Sequence, residues 1–188
     1  MAAGGGVRQA LSAGTQRLFF ALWPDARMRT ELAQAAQRMH RAVAGRCARD
    51  DSLHLTLAFL GDVDLEYLPR LLAPPAVVLT PAFLLTLDQW GCWSRNGIGW
   101  SAPSRPHDSL RELAENLEAW LRSAGFDLER RTFMPHVTLV RKAQCAPLPD
   151  AMAPIAWRVS EFVLIHSQLQ PGGSRYRTLA TWPLRQEI

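Results

Sequence analysis

SLHLTLAFL, residues 52–60, and FMPHVTLVR, residues 133–141, are the two segments from which the fold of this chain can be predicted. Each has the length and the apolar pattern of a β-strand. Because side chains alternate across a strand, the histidine and the threonine two residues after it share one face in both segments. The two copies of H-x-T-L lie 82 residues apart, close to half of the folded length, which predicts two similar lobes.

The same alternation assigns the other side chains of these strands to a core. In the first segment the predicted core face carries Leu53, Leu55, Leu57 and Phe59, and in the second it carries Val137 and Leu139. Each strand therefore anchors one side in a core and presents an imidazole beside a hydroxyl on the other. Strict alternation also turns Arg141 away from the face of His136.

The elements around these strands follow a repeated order. An apolar strand at residues 17–23 is stopped by Pro24, and Asp25 is predicted to cap a helix over residues 26–43. A second long helix is predicted over residues 109–123 and ends near Gly125. The remaining predictions are a short helix near residues 65–72 and strands at residues 82–90, 97–101, 157–168 and 175–182. We therefore predict an α+β fold with two pseudo-symmetric lobes, antiparallel sheets lining a central groove and helices outside.

Length and composition are those of one folded domain. With 188 residues, of which 48% are hydrophobic and 20% charged, the chain can bury a core of its own. A single bilobal domain is predicted for residues 17–188, preceded by a flexible Gly/Ala-rich tail at residues 1–16. The tail lacks the apolar core of a signal peptide. No apolar run approaches the length of about 18 residues that a membrane-spanning helix needs.

The cysteines bear on metal binding and on compartment. Cys47, Cys92 and Cys145 are odd in number and widely spaced, without a CxxC or Cys/His ligand pattern. Neither a zinc site nor a disulfide framework is therefore expected. Since free thiols are typical of a reducing compartment, the sequence predicts a cytoplasmic protein.

The charge balance is basic. A net charge of +4 and a pI of about 9.5 favour a polyanionic partner, because basic side chains displace the counterions of phosphates. The basic residues are scattered, however, and all but Lys142 are arginine, as a GC-rich genome would also produce. Charge alone therefore does not identify the ligand.

A pair of histidines flanked by hydroxyls suits the cleavage of a phosphodiester. In-line displacement needs a base for the nucleophile and an acid for the departing oxygen, and histidine serves either role near neutral pH. The hydroxyls of Thr56 and Thr138 can donate hydrogen bonds to the non-bridging oxygens. A lone strand histidine is usually structural, but two copies on similar strands favour a catalytic pair, His54 and His136. The scheme needs no metal, and two histidines without a carboxylate cluster make a poor zinc site.

Four blocks of the sequence carry a family resemblance: RLFFALWP at 17–24, DSLHLTLAFLGDV at 51–63, RTFMPHVTLVRK at 131–142 and LIHSQLQPGGSRYRTLATWPL at 164–184. In these blocks and their order the chain resembles the two-histidine (2H) phosphoesterase superfamily. Within it, the chain is most similar to the bacterial RNA 2′,3′-cyclic phosphodiesterase family, also called the 2′-5′ RNA ligase family. The resemblance spans nearly the whole folded part.

The resemblance implies a bilobal α+β fold and a metal-independent reaction without cofactor. It implies that a terminal 2′,3′-cyclic phosphate of RNA is hydrolysed to a 2′-phosphomonoester, with His54 as proton donor and His136 as proton acceptor. Thr56 and Thr138 would bind the phosphate. The sequence itself does not separate the two histidine roles, and the reverse reaction, 2′-5′ ligation, would exchange them. The expected partners are RNA ends or nucleotides with a 2′,3′-cyclic phosphate, with no membrane, and the protein is expected to be a monomer.

Two alternatives remain open at this point. The same chemistry would serve a small nucleotide or an ADP-ribose derivative with a cyclic phosphate, since the histidines contact only the phosphate. The fold would also serve a nucleotide-binding or RNA-binding module without turnover, although two intact H-x-T motifs argue against it.

Further substrate contacts are predicted with less support from the pattern. Arg141, Arg175 and Tyr176 are candidates for contacts with the phosphate or the nucleotide. Aromatic residues are candidates for stacking on a base, which stabilises binding by roughly 1–3 kcal/mol per base. The stacking candidates are Phe20, Trp23 and Trp100, although strand aromatics are more often core residues. Arg130 and Arg131 are interpreted as groove-edge cations or as a solvated turn, the turn being favoured.

Overall fold

The two histidine-bearing segments lead into neighbouring strands of one antiparallel sheet. The computed structural model describes residues 14–73, 80–128, 132–145, 148, 151–171 and 173–186. The helices within these ranges are α1 (Ala26–Val43), α2 (Leu68–Leu72) and α3 (Asp108–Ser123). The strands are β1 (Thr15–Leu22), β2 (Arg46–Cys47), β3 (Leu55–Asp64), β4 (Phe83–Leu87), β5 (Gln89–Trp93), β6 (Ile98–Ala102), β7 (Val137–Arg141), β8 (Ile155–Val159), β9 (Glu161–Gln170) and β10 (Gly173–Pro183).

The main sheet consists of two halves that meet at β3 and β7. Its strand order is β10-β9-β1-β3-β7-β6-β5, with β2 paired to β7, and β4 and β8 form a separate two-stranded sheet. All pairings between these strands are antiparallel. The half-sheet β10-β9-β1-β3 and the half-sheet β7-β6-β5 are joined through a single residue pair, Leu55 with Val137. The predicted α+β class with two antiparallel halves is confirmed.

The helices cover the sheet as their apolar patterns predict. The bounds of α1 match the prediction, and the carboxylate of Asp25 caps it by accepting a hydrogen bond of 2.7 Å from the Met28 backbone N–H. α3 begins one residue before its predicted start, and Gly125 follows it with a left-handed φ of 91°. α1 packs on β7 and α3 on β3, so each histidine strand is supported by one helix.

Two predicted strands are each divided in the structure. The run at residues 82–90 becomes β4 and β5, and the run at residues 157–168 becomes the end of β8 and most of β9. The reason is that the first part of each run, β4 and β8, forms a separate two-stranded sheet, whereas β5 and β9 belong to the main sheet. Asp88 lies at the first break, where its carboxylate accepts hydrogen bonds from the backbone N–H and hydroxyl of Ser104. A one-residue break of this kind leaves little trace in apolar periodicity.

The amino-terminal boundary differs slightly from the prediction. Residues 1–13 of the predicted tail lie outside the described part of the chain. Thr15 and Gln16, which were assigned to the tail, belong to β1 and pair with Asp64 and Val63. No helix among the described residues is long and apolar enough to cross a membrane.

The cysteine prediction is wrong for two of the three cysteines. Cys92 in β5 and Cys145 after β7 form a disulfide, with their Cα atoms 5.4 Å apart. Only Cys47 is free. The pairing depends on the tertiary structure, because the chain after β7 passes the turn between β5 and β6, where the Ala143 N–H donates a hydrogen bond to the Gly97 carbonyl. The cysteines therefore do not indicate a reducing compartment.

Candidate active site

The strand register brings both H-x-T motifs together. Leu55 and Val137 are direct antiparallel partners. Extending this register by one residue in each direction places His54 beside Thr138 and Thr56 beside His136. Thr56 and His136 line the same cavity, as this register requires. The two imidazoles therefore face one cleft, related by a local pseudo-twofold axis at the Leu55–Val137 pair.

Both imidazoles are held in the same way through Nδ1. The Nδ1 of His54 lies 2.8 Å from the backbone carbonyl of Ser52, and the Nδ1 of His136 lies 2.7 Å from the carbonyl of Met134. A carbonyl oxygen only accepts hydrogen bonds, so each Nδ1 carries the proton and donates it. Nε2 of each ring is then the atom left to accept or deliver a proton.

His54 lies in a cage of aromatic rings. The indole of Trp23 is stacked on it with ring centres 5.2 Å apart and planes inclined by 9°. Phe19 lies 4.9 Å away, and the ring of Tyr176 meets His54 edge-on at 5.3 Å. Phe19 belongs to a small apolar cluster with Ala21, Val163 and Ile165, which forms the floor beneath the cage.

His136 has a different neighbour. The ring of Trp93 meets it nearly perpendicularly, with centres 4.6 Å apart. Trp100 lies 5.5 Å behind Trp93 and directly opposite Thr138 in the sheet. Its ring crosses Gly91 so closely that a Cβ at that position would lie 1.9 Å from it. Gly91 thus lets Trp100 support Trp93, and Trp93 in turn fixes the ring of His136.

The environment lowers the basicity of both histidines. Burial is the main reason that the pKa of His54 falls from 6.5 to about 4; the Ser52 carbonyl opposes this shift, and the charges of Arg141 and His136 add to it. Burial also lowers the pKa of His136. The hydrogen bond to the Met134 carbonyl raises this pKa in part, and the positive charge of Arg141 lowers it further. In the absence of a bound anion, both rings are therefore predominantly neutral at pH 7.

A β-bulge brings Arg141 to the histidines. Opposite β6, Val140 pairs with Gly99 and Thr138 with Trp100, so Leu139 is an extra residue in β7. Leu139 and Val140 are both completely buried, which shows that alternation is interrupted there. Arg141 consequently shares the face of His136 and Thr138. The expectation that alternation turns Arg141 away is wrong for this reason, whereas its prediction as a phosphate contact is consistent with its position.

The first motif contains the equivalent bulge. Opposite β1, Ala58 pairs with Phe20 and Thr56 with Ala21, so Leu57 is the extra residue of β3. Phe59, predicted to lie in the core, is instead 52% exposed and lines the cleft. Phe59 and Arg141 each follow their histidine by five residues and are pseudo-symmetry counterparts.

Two cavities flank the histidines. One of about 560 Å³ lies beside His136 and Thr56, and most of its wall is apolar: Leu57, Phe59, Trp93, Leu128, Phe133 and Met134. The other, a groove of about 480 Å³, lies beside His54 and is lined by Ser52 and Tyr176 together with Arg46, Arg49 and Arg141. The cleft thus has an apolar end and a cationic end.

The remaining predicted contacts have different outcomes. Tyr176 lies in the cage of His54, and Trp100 lies behind Trp93. Phe20 is completely buried among Trp120, Phe162 and Trp182, so its prediction as a substrate contact is wrong. Alternation in β1 places Phe20 on the core face and Phe19 on the cleft face.

The other predicted cations are Arg175 and the two arginines before the second motif. Arg175 is exposed and pairs with Gln168, on the face of β10 opposite to Tyr176. Arg130 and Arg131 lie outside the described residues. Within the described part, no group of three His, Cys, Asp or Glu side chains is arranged to hold a metal ion.

Sequence reasoning missed several residues of the cleft, among them Phe19, Phe59, Trp93 and Arg46. Phe19 was recoverable, because it shares its strand face with Ala21 and Trp23 rather than with the core leucines. Phe59 depends on the bulge, and Trp93 and Arg46 depend on pairings between distant segments, which local patterns do not contain.

The two halves of the chain each match a known family. The model of the family described as "LigT like Phosphoesterase" matches residues 22–100 and residues 101–176. The chain belongs to this family. One H-x-T motif lies in each matched part, in agreement with the pseudo-twofold arrangement of the site.

Individual members of the LigT-like family are similar over nearly their whole length. The RNA 2′,3′-cyclic phosphodiesterase of Escherichia coli (strain K12) is 36% identical over 172 residues, which are 91% of this chain and 98% of that protein. The protein of the same name from Thermus thermophilus is 32% identical over 185 residues, covering 91% of each chain. The crystal structure of E. coli LigT complexed with 3′-AMP superposes with a TM-score of 0.80 at 36% identity, over 90% of this chain and 98% of that one.

Proposed function

We propose that this protein hydrolyses the terminal 2′,3′-cyclic phosphate of RNA to a 2′-phosphomonoester. The observation that carries the proposal is the antiparallel pairing of two H-x-T motifs, with each Nδ1 bonded to a carbonyl and each Nε2 left for proton transfer. The names of the similar LigT-like proteins support the RNA cyclic phosphate as substrate, and the E. coli complex with 3′-AMP supports a nucleotide in the cleft.

In the proposed mechanism, water attacks phosphorus and the bond from phosphorus to O3′ breaks. Nε2 of His136 accepts a proton from the attacking water, and Nε2 of His54 donates a proton to O3′ as it leaves. The phosphate stays on O2′, and the ribose regains its 3′-hydroxyl. Thr56, Thr138 and Arg141 hold the non-bridging oxygens, where negative charge accumulates.

The low pKa of His54 is compatible with a proton donor once the substrate is bound. The cyclic phosphate carries a negative charge, and an anion between the imidazoles favours their protonated forms. A cation over the face of tryptophan is also stabilised by about 0.5–2 kcal/mol. The stacked Trp23 therefore favours the imidazolium of His54 and offsets part of the effect of burial on its pKa.

Replacing Trp23 by leucine is expected to lower the pKa of His54 in the product complex by about 0.5–1, because the cation–π contribution is lost while the site stays apolar. NMR titration of the imidazole C–H signals, with a nucleoside 2′-monophosphate bound, measures this change. Trp23→Phe retains an aromatic face and should show a smaller decrease. An unchanged or higher pKa in Trp23→Leu would show that the stack does not stabilise the charged ring.

The function itself is tested by product analysis on an oligonucleotide ending in a 2′,3′-cyclic phosphate. The expected product carries a 2′-phosphate and a free 3′-hydroxyl, and excess EDTA leaves the rate unchanged. A 3′-phosphate product would contradict the bond assignment. A loss of activity in EDTA that Zn²⁺ or Mn²⁺ restores would contradict acid–base catalysis by free imidazoles. Tight binding without turnover would favour the non-catalytic binding module.

The same pair of histidines can also catalyse the reverse reaction. Because the reaction runs through one protonated and one neutral imidazole, 2′-5′ ligation uses the same residues with exchanged roles. We propose that RNA ends are the partners and that the protein acts as a monomer. Nucleotides and ADP-ribose derivatives with a cyclic phosphate are the competing substrates, and they share the reacting group but not the rest of the RNA chain.

A further inference from the structure

We propose that the groove lined by Arg46 and Arg141 is a second anion site, in which Arg46 binds the phosphodiester on the 5′ side of the terminal nucleotide while Arg141, at its border with the histidines, holds the reacting phosphate. This inference rests on the proposed function and specifies its substrate as an RNA chain rather than a mononucleotide. The groove lies next to His54, since Ser52 and Tyr176 form part of its wall.

The arrangement of Arg46 and Arg141 is unfavourable without an anion. The two residues are direct cross-strand partners in the pairing of β2 with β7. Like charges directly opposite each other in an antiparallel pair destabilise it. Among the described residues, neither guanidinium has a carboxylate partner. A bound phosphate diester between or beside them would remove this repulsion and accept their hydrogen bonds.

The backbone geometry maintains this pairing. Gly45, just before β2, has a left-handed φ of 86°, and a Cβ there would lie 2.6 Å from the carbonyl oxygen of Arg141. Only glycine therefore allows β2 to approach β7 so closely. The two-residue strand places a second cation beside the arginine that reaches the histidines.

The far wall of the groove is also fixed. Arg49 donates hydrogen bonds to the carboxylate of Asp51 at 2.9 Å and to the backbone carbonyl of Ser174 at 2.5 Å. These contacts tie the segment before His54 to the start of β10. Arg49 thus serves as a structural part of the wall, and among the residues that the structure describes, the groove-lining charges without a carboxylate partner are those of Arg46 and Arg141.

The pseudo-symmetry of the site gives the cleft a direction. Phe59 and Arg141 occupy equivalent positions after the two bulges, so one end of the cleft presents an aromatic face and the other a cation. The apolar cavity with Phe59 and Trp93 suits the terminal base. The phosphodiester one nucleotide before the cyclic phosphate is then directed to the opposite end, where Arg46 lies.

The test compares kcat/KM for a dinucleotide ending in a 2′,3′-cyclic phosphate with that for the corresponding nucleoside 2′,3′-cyclic phosphate, which lacks the 5′ phosphodiester. Arg46→Gln should lower the value for the dinucleotide by about tenfold, as for a lost charge-assisted hydrogen bond, and by much less for the mononucleotide. The kcat/KM for the dinucleotide should also become less sensitive to salt concentration, because one charge pair between protein and substrate is lost. Arg38→Gln, which removes an exposed arginine on the outer side of α1, is the matched control and should leave kcat/KM unchanged for both substrates.

The outcomes separate this inference from the proposed function. Equal losses of kcat/KM on both substrates would place Arg46 at the reacting phosphate and contradict the second site. No loss of kcat/KM on either substrate would contradict it as well. If the wild-type protein opened neither substrate, the proposed function would fail and the inference with it. A preference of the wild-type protein for the dinucleotide that disappears in Arg46→Gln supports both.

Discussion

Replacing either His54 or His136 by alanine is expected to lower kcat for opening a 2′,3′-cyclic phosphate by about 10²–10⁴-fold, with a smaller effect on binding. Each imidazole transfers one proton in the proposed mechanism, and the described part of the cleft contains no other imidazole to replace it. Single-turnover kinetics at saturating enzyme measures the chemical step directly. Activity that survives either substitution nearly intact would overturn the assignment of the pair.

A substrate with sulfur in place of O3′ distinguishes the two roles. A thiolate leaves without being protonated, so the acid becomes dispensable while the base does not. His54→Ala should therefore recover much of its lost rate on the sulfur substrate, and His136→Ala should not. The reverse pattern would exchange donor and acceptor. His40→Ala, on the exposed face of α1, is the control for loss of an imidazole outside the cleft.

Replacing Arg141 by methionine is expected to lower kcat/KM by about 10²–10³-fold, as for the loss of one donor to a developing oxyanion. It should also move the pH profile of kcat/KM to higher pH. Arg141 lowers the pKa of both His54 and His136, so its removal lets each ring hold its proton to a higher pH. The active form with one protonated and one neutral ring is then most populated at a higher pH.

Arg141→Lys separates charge from geometry in the same assay. Lysine keeps the positive charge but not the planar fork of donors, so the pH profile should stay in place while the rate recovers only in part. If Arg141→Met remained within about twofold of the wild-type rate, a margin well below the usual effect of a lost oxyanion donor, Arg141 would be a surface charge.

Much of the fold and the chemical centre of the site follow from the sequence. The bounds of α1 were predictable because Pro24 and Asp25 mark its start and its apolar side chains recur at helical spacing. His54, Thr56, His136 and Thr138 were identifiable because a strand with period two repeats the same pair of polar residues. Both patterns are local in the sequence, so they can be recognised without knowledge of the tertiary structure.

What the sequence did not predict depends on contacts between distant segments. The bulges at Leu57 and Leu139 arise where a strand meets its partner, so Phe59 and Arg141 were assigned to the wrong faces. The Cys92–Cys145 disulfide spans 53 residues, and its partners become neighbours only after the sheet has formed. The division of the strand at residues 82–90 likewise depends on β8, which lies far along the chain.

The junction of the two half-sheets has a consequence for turnover. Because Leu55 and Val137 are the only residues through which β3 and β7 pair in the described chain, a scissoring motion about this seam breaks fewer backbone hydrogen bonds than one anywhere else in the main sheet. His54 and His136 lie on opposite sides of the seam, and each donates a hydrogen bond to a carbonyl of its own half. Such a motion would therefore widen the gap between the two rings without changing the tautomer of either. It would let the RNA product leave the cleft while few backbone hydrogen bonds are broken.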